Sequence, residues 1–264
     1  MKRLLTVSLL GAAIAAGSGT AQARDYDTVR IGVDIPYVPM EYRKPDGTLT
    51  GFDIELGNAL CKQAELECKW VEQSWDGIIP GLMARKFDAI MSSMTINDER
   101  RQQLLFSDPY IVPPSAWFVP GSSDIQTPDE SALEGRDIGV QRGTVQDNYV
   151  TDMYGSIANI KRYASADDVA VDMDAGRLDL AFLDYPTGQA ALLDDDKRDY
   201  RTVGDKLTEP KKYFGEGFGI AFRKRDKELA EQFNQALETV RENGTYQKIY
   251  DRYFNKDNGG DSAD

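Results

Sequence analysis

Short β-rich runs alternate with helically spaced stretches at close pitch, and that alternation restricts the chain more than any other feature. Thr28 to Val33 is β-rich and ends at Asp34 and the turn Pro36-Tyr37-Val38-Pro39. Asp46 to Gly51 reads as a hairpin or loop, and Phe52 to Gln63 has helical spacing through Phe52, Ile54, Leu56 and Leu60. Glu67 to Glu72 is a strand, Trp75 to Met83 a helix with Pro80 as a bend signal, and Ala89 to Met91 a strand again. Such alternation defines an α/β unit with a largely parallel sheet.

The last of these strands runs into Ser92, Ser93 and Thr95, then into a helix opened by Asn97 or Asp98, with Arg100 in its first turn. Hydroxyl and amide side chains favour such corners because they satisfy free backbone groups. Three hydroxyls, exposed N–H groups and an arginine fork within nine residues also suit a small carboxylate.

Beyond this unit the chain runs extended from Phe106 to Pro120, and after an acidic loop the pattern restarts. Ile138 to Val140 is a strand, Thr144 opens a helix, Asn159 to Ala164 is a strand, and Ser165 caps a helix reaching Ala175. Leu178 to Leu183 is a strand and Tyr185 to Leu193 a helix. A second extended stretch, Tyr213 to Phe222, leads to helices over Asp226 to Glu242 and Thr245 to Tyr253. Ile31-Gly32-Val33-Asp34 answers to Ile138-Gly139-Val140-Gln141, and Ala84-Arg-Lys-Phe-Asp88 to Ala175-Gly-Arg-Leu-Asp179. The repetition describes two similar lobes, the second inserted into the first and joined by two extended crossings. Strand C-terminal ends then face each other across a cleft, where open α/β sheets bind ligands. Asp34, Ser92, Ser93, Gln141, Thr144 and Asp184 fall at such ends.

Lys2 and Arg3 precede an apolar run, Leu4 to Ala16, followed by the small-residue site Ala21-Gln22-Ala23. This is the pattern of a secretory signal peptide over 1–23; its 13 apolar residues are short of the roughly 20 that span a bilayer. Removing it moves the net charge from −13 to −15, since Lys2 and Arg3 leave and no acid does. A chain this acidic repels nucleic acid and anionic lipid. In an exported chain Cys61 and Cys68, the only cysteines, are read as a disulfide. With no histidine anywhere, Ser-His-Asp and Cys-His catalysis are excluded, and two cysteines alone leave no zinc site and imply no cofactor.

Taken together, the segments Gly51-Phe-Asp-Ile-Glu-Leu, Cys61 with Cys68, Trp75-Asp-Gly-Ile-Ile-Pro-Gly-Leu, Asp88 to Gln103, Ala175-Gly-Arg-Leu-Asp and Asn243-Gly-Thr-Tyr resemble a known family. It is that of the periplasmic solute-binding proteins of polar amino-acid ABC importers (family 3), with lysine/arginine/ornithine- and histidine-binding members nearest. The resemblance covers 28–255. It implies the type II periplasmic-binding-protein fold, a soluble periplasmic monomer, and docking on an inner-membrane ABC permease. Lobe 1 is expected over 24–111 and 218–264, lobe 2 over 114–215, with hinges at 112–113 and 216–217.

By the same resemblance Arg100 forks onto a ligand α-carboxylate, helped by Thr95, with Thr144 and its helix amides reaching it from the other lobe. Asp184 takes the α-ammonium with Ser92 or Ser93, Tyr37 and Trp75 sandwich the side chain, and Asp34 meets its far end. Gln141 and Gln146 complete the ligand-binding set. Trp75 stands where the nearest members carry Phe or Leu, Gln141 replaces an apolar residue, and Val145 a threonine. The implied ligand is a basic L-amino acid (arginine, lysine or ornithine), with histidine or an opine as alternatives. Some periplasmic dehydratases share the fold, so an enzyme is the alternative of another class. It needs a general acid or base over its substrate, whereas Asp34 and Asp184 already have binding roles.

Overall fold

The computed structural model describes residues 28–255. The expected signal peptide lies outside the described residues.

Chain order begins β1 (Val29–Val33), β2 (Tyr42–Arg43), β3 (Leu49–Thr50), α1 (Phe52–Gln63), β4 (Cys68–Glu72), α2 (Trp75–Met83), β5 (Ala89–Ile90), α3 (Asp98–Arg101) and β6 (Leu104–Phe106). It continues with β7 (Ser115–Pro120), α4 (Glu130–Leu133), β8 (Asp137–Gln141), α5 (Val145–Tyr154), β9 (Asn159–Tyr163), α6 (Ala166–Asp174), β10 (Leu180–Asp184) and α7 (Tyr185–Gly188), which runs into a π-turn over Gln189–Leu193. Then come β11 (Tyr200–Leu207), α8 (Lys211–Phe214), β12 (Ala221–Arg223), α9 (Lys227–Glu242) and α10 (Thr245–Phe254).

Two five-stranded sheets result, ordered β4-β1-β5-β12-β6 and β11-β7-β10-β8-β9. Every strand of the second comes from the chain between β6 and β12, so the second lobe is inserted into the first. Each sheet has a parallel half and antiparallel partners: β1 pairs parallel with β4 and β5, β8 with β9 and β10, while β12 and β7 run against them. The fold is the two-lobed type II arrangement.

Helices α1 and α2 form over the residues that their periodicity predicts, and α2 runs through Pro80. α9 buries Leu229, Ala230, Phe233, Ala236, Leu237 and Val240, one stripe at helical spacing, against the α1 side of the first sheet. Ile78, Leu82 and Phe87 pack with Ile90, Leu104 and Phe106 in a separate cluster. Cys61 in α1 is bonded to Cys68, the first residue of β4.

Asp46 to Gly51 lies in a small hairpin, β2 with β3, in line with the expectation. Two segments differ from the sequence expectation. The stretch from Tyr213 is not extended at its start: α8 turns through Phe214, and Tyr213 and Phe214 pack beside Tyr149. Strand β11 went unread because its sequence is largely polar. It is an edge strand on β7 with only Val203 buried, so no apolar alternation marks it.

Candidate functional site

The corner after β5 is built from its own side chains. Asn97 caps α3 by accepting the Arg100 N–H at 2.9 Å, which fixes Arg100 in the first turn. The guanidinium folds back to donate to the Thr95 carbonyl at 3.0 Å and lies 5.3 Å from the centre of the Trp75 ring. Only 8% of Arg100 is exposed, and among the described residues it forms no salt bridge. Burial brings its pKa down to about 10, with Glu99 and Asp184 opposing.

The opposite corner, after β10, presents Asp184. Tyr37 Oη donates to its Oδ2 at 2.6 Å, across the cleft, and Gln146 Nε2 to its Oδ1 at 2.7 Å. Gln146 is held in turn through Ser115 Oγ at 2.8 Å. Burial pushes Asp184 up to about 6, against the Tyr37 and Gln146 hydrogen bonds and the Arg100 charge.

Asp34, just past β1, accepts from Gln141 Nε2 at 3.2 Å, and Gln141 ends β8 of the other lobe. Burial raises Asp34 to about 6, against hydrogen bonds from Gln141 and the Trp75 backbone. Trp75, first residue of α2, donates its indole N–H to the Gly143 carbonyl at 3.2 Å, and Arg142 pairs with Asp76 at 3.0 Å. Hydrogen bonds and an ion pair thus join the two lobes across the cleft. Thr144 caps α5: its hydroxyl donates to the Gln141 carbonyl and accepts the Asp147 N–H.

All eleven residues expected at the site line one cleft, and the structure adds Val145 and Glu41. Tyr37 spends its hydroxyl on Asp184, and Trp75 has Arg100 near its ring. Glu41 was missed. It sits on the turn that pairs Tyr37 with Glu41, and nothing local distinguishes it from a solvated acid. It is 1% exposed and accepts from Ser92 Oγ at 2.7 Å.

A cleft between two lobes, with a buried guanidinium on one wall and a buried carboxylate on the other, defines a protein that encloses a small polar solute. The profile of the bacterial extracellular solute-binding proteins, family 3, matches residues 29–256, and the chain belongs to that family. It is similar to the L-arginine-binding protein of Pseudomonas aeruginosa, 42% identical over 231 residues, 87% of this chain and 88% of that one. It is also similar to the lysine/arginine/ornithine-binding periplasmic protein of Escherichia coli (strain K12), 39% identical over 263 residues, 98% and 99% of the two chains. Among solved structures, an ancestral arginine-binding protein bound to arginine superposes with a TM-score of 0.80 at 31% identity, covering 86% of this chain and 98% of that one. An ancestral amino acid-binding protein described as a precursor of cyclohexadienyl dehydratase gives 0.75 at 30% identity, over 86% and 95%.

Proposed function

We propose that this protein binds a basic L-amino acid (arginine, lysine or ornithine) in the periplasm and delivers it to an ABC importer permease. The observation that carries the reading is the buried guanidinium of Arg100, which among the described residues forms no salt bridge, facing the Asp184 wall of the same cleft. A buried cation without an anion is costly, and a ligand carboxylate supplies one. Asp184 takes the α-ammonium, so these two charges cancel those of any amino acid. Asp34 is left over, and a cationic side chain supplies its partner. Thr95, Thr144 and the α5 amides assist at the carboxylate end, Ser92 and Ser93 at the ammonium end, and Tyr37, Trp75, Gln141 and Gln146 along the wall. The names of the relatives at 42% and 39% identity support the same ligand class.

The protein acts as a monomeric clamp whose lobes comprise 24–111 with 218–264, and 114–215. The crossings support hinges at 112–113 and 216–217. Phe218 N–H donates to the Ile111 carbonyl at 2.8 Å on the first-lobe side, and Tyr185 N–H to the Pro114 carbonyl at 2.8 Å on the second. It is a binder rather than an enzyme: both Asp184 oxygens are engaged by donors that hold the carboxylate in place. A calorimetric screen against the twenty amino acids, ornithine and opines tests the ligand. Binding of arginine, lysine or ornithine above all others is expected, and preference for a neutral amino acid refutes the reading. Product analysis after incubation with amino acids and cyclohexadienyl acids tests the absence of catalysis.

A further inference from the structure

Behind the two serines of the first-lobe corner lie two acids that no binding role has absorbed. Glu41 is 1% exposed and Asp53, in the first turn of α1, is 0% exposed. The Asp53 N–H donates to the Met40 carbonyl at 2.9 Å, which brings the two side chains together. Both carboxyl groups converge on Ser93 Oγ, Glu41 Oε2 at 3.5 Å and Asp53 Oδ2 at 3.4 Å. Asp53 Oδ2 also accepts from the Ser93 N–H and Tyr110 Oη, each at 2.8 Å, whereas among the described residues no donor reaches the buried Asp53 Oδ1. One serine hydrogen cannot satisfy two buried carboxylates that converge on it, and with one Asp53 oxygen otherwise without a donor the pair calls for a proton of its own.

We infer that Glu41 and Asp53 share one proton and act as a positioning pair: they draw the Ser92 and Ser93 hydroxyl hydrogens inward, so that both serines show lone pairs to a cationic ligand group. A serine hydroxyl has a single hydrogen. That of Ser92 goes to Glu41 Oε1 at 2.7 Å, while its oxygen also accepts the Asp34 N–H at 2.9 Å. That of Ser93 points between the two acids. What remains for the cleft is acceptor capacity, which favours an ammonium and rejects an acceptor. This second half rests on the proposed ligand class; the shared proton does not.

The surroundings favour retention of the proton. Groups facing the pair are Asp34, Tyr37, Tyr110 and, from α10, Tyr246, of which Asp34 is anionic when ionised and the tyrosines are neutral. Burial raises both carboxyls out of their ordinary range, and the Asp53 charge raises Glu41 further.

Infrared spectroscopy of the ligand-free protein at pH 8, above the range in which Asp34 and Asp184 titrate, reads the proton directly. The expected result is a protonated-carboxyl C=O band that is lost in Glu41→Gln and kept in Asp34→Asn. Absence of the band, or its survival in Glu41→Gln, overturns the shared proton. Titration with L-arginine and L-lysine then reads the positioning. Glu41→Ala, which frees the hydroxyl hydrogens to turn outward, is expected to weaken both at least tenfold. Glu41→Gln, whose amide accepts from Ser92 and donates to Asp53, is expected to recover most of that loss. A Gln variant as weak as the Ala variant overturns the positioning role, as does an Ala variant that binds both normally. The Gln variant and the band decide the matter if Glu41→Ala fails to fold. A wild type that binds neither amino acid refutes the ligand reading, while the band still decides the proton.

Discussion

The two lobes carry one strand–helix–strand unit twice, down to single hydrogen bonds. Ser74 precedes α2 and Ser165 precedes α6, 91 positions later, and each helix is nine residues long. Each ends in an alanine and then a left-handed residue, Arg85 at φ 63° and Gly176 at φ 65°. Asp88 accepts the Arg30 N–H in one lobe and Asp179 the Asp137 N–H in the other. Ile31 pairs with Ala89 as Ile138 pairs with Leu180. The divergence that shapes the cleft lies where the strands end. The first lobe finishes in Ser92, Ser93 and the nearby Arg100; the second finishes in Asp184. The β1 end gives Asp34 and the β8 end Gln141, and these two meet across the cleft. A duplicated scaffold thus offers two equivalent corners of opposite charge, and in the proposed reading these two charges meet the two ends of a zwitterion.

The sharpest way to break the symmetry is to remove one charge. Arg100→Ala is expected to abolish arginine binding, at a cost of ~2–5 kcal/mol, because it leaves the ligand carboxylate and Asp184 facing each other unpaired. Arg100→Lys is expected to recover little, since an ammonium lacks the planar fork. Calorimetry measures both, and near-normal affinity in either removes Arg100 from the site.

Next in size is the packing that the two units share. A Cβ on Gly32 meets the Phe87 ring at 2.6 Å, and one on Gly139 meets a Leu178 methyl at 2.5 Å. Gly32→Ala and Gly139→Ala are each expected to cost ~1–3 kcal/mol in denaturant unfolding. The first-lobe variant is expected to lose more, because a buried ring cannot rotate away as a methyl can. Equal losses mean that the two contacts yield alike.

At the β1 and β8 ends the expected effect is smaller. Asp34→Asn is expected to weaken arginine at least tenfold, about 1.4 kcal/mol, while citrulline binds no worse. Unchanged arginine affinity means that Asp34 does not read the side chain.

Smallest per group is the effect of pH. Asp34 and Asp184 are raised to about 6 without ligand, and a cationic ligand lowers both. Affinity for arginine is therefore full above about pH 6 and falls as pH drops through it, by roughly tenfold for each carboxylate between pH 7 and 5. Calorimetry in buffers of different ionisation enthalpy is expected to show proton release on binding near pH 6. Affinity that rises on acidification contradicts the assignment.

Local pattern was enough for the elements and the corners. The helices over Phe52–Gln63 and Trp75–Met83, the cap at Thr144, the repeated unit, the strand ends bearing Asp34 and Asp184 and the helix turn bearing Arg100 all follow from periodicity and capping within a few residues. The inserted second lobe followed from the order in which that unit recurs. Glu41 and Asp53 could not be read in this way. In sequence each is one acid among many, and their burial, their convergence and their hold on Ser92 and Ser93 come from bringing a turn and a helix against a strand end 40 to 52 positions away. The same holds for β11, whose polar residues become a strand only because β7 offers an edge. It holds equally for Tyr37 on Asp184, 147 positions away. Side-chain periodicity is a property of neighbours along the chain. The environment that fixes a proton or a hydroxyl's direction is set by neighbours in space, so only the tertiary structure decided it.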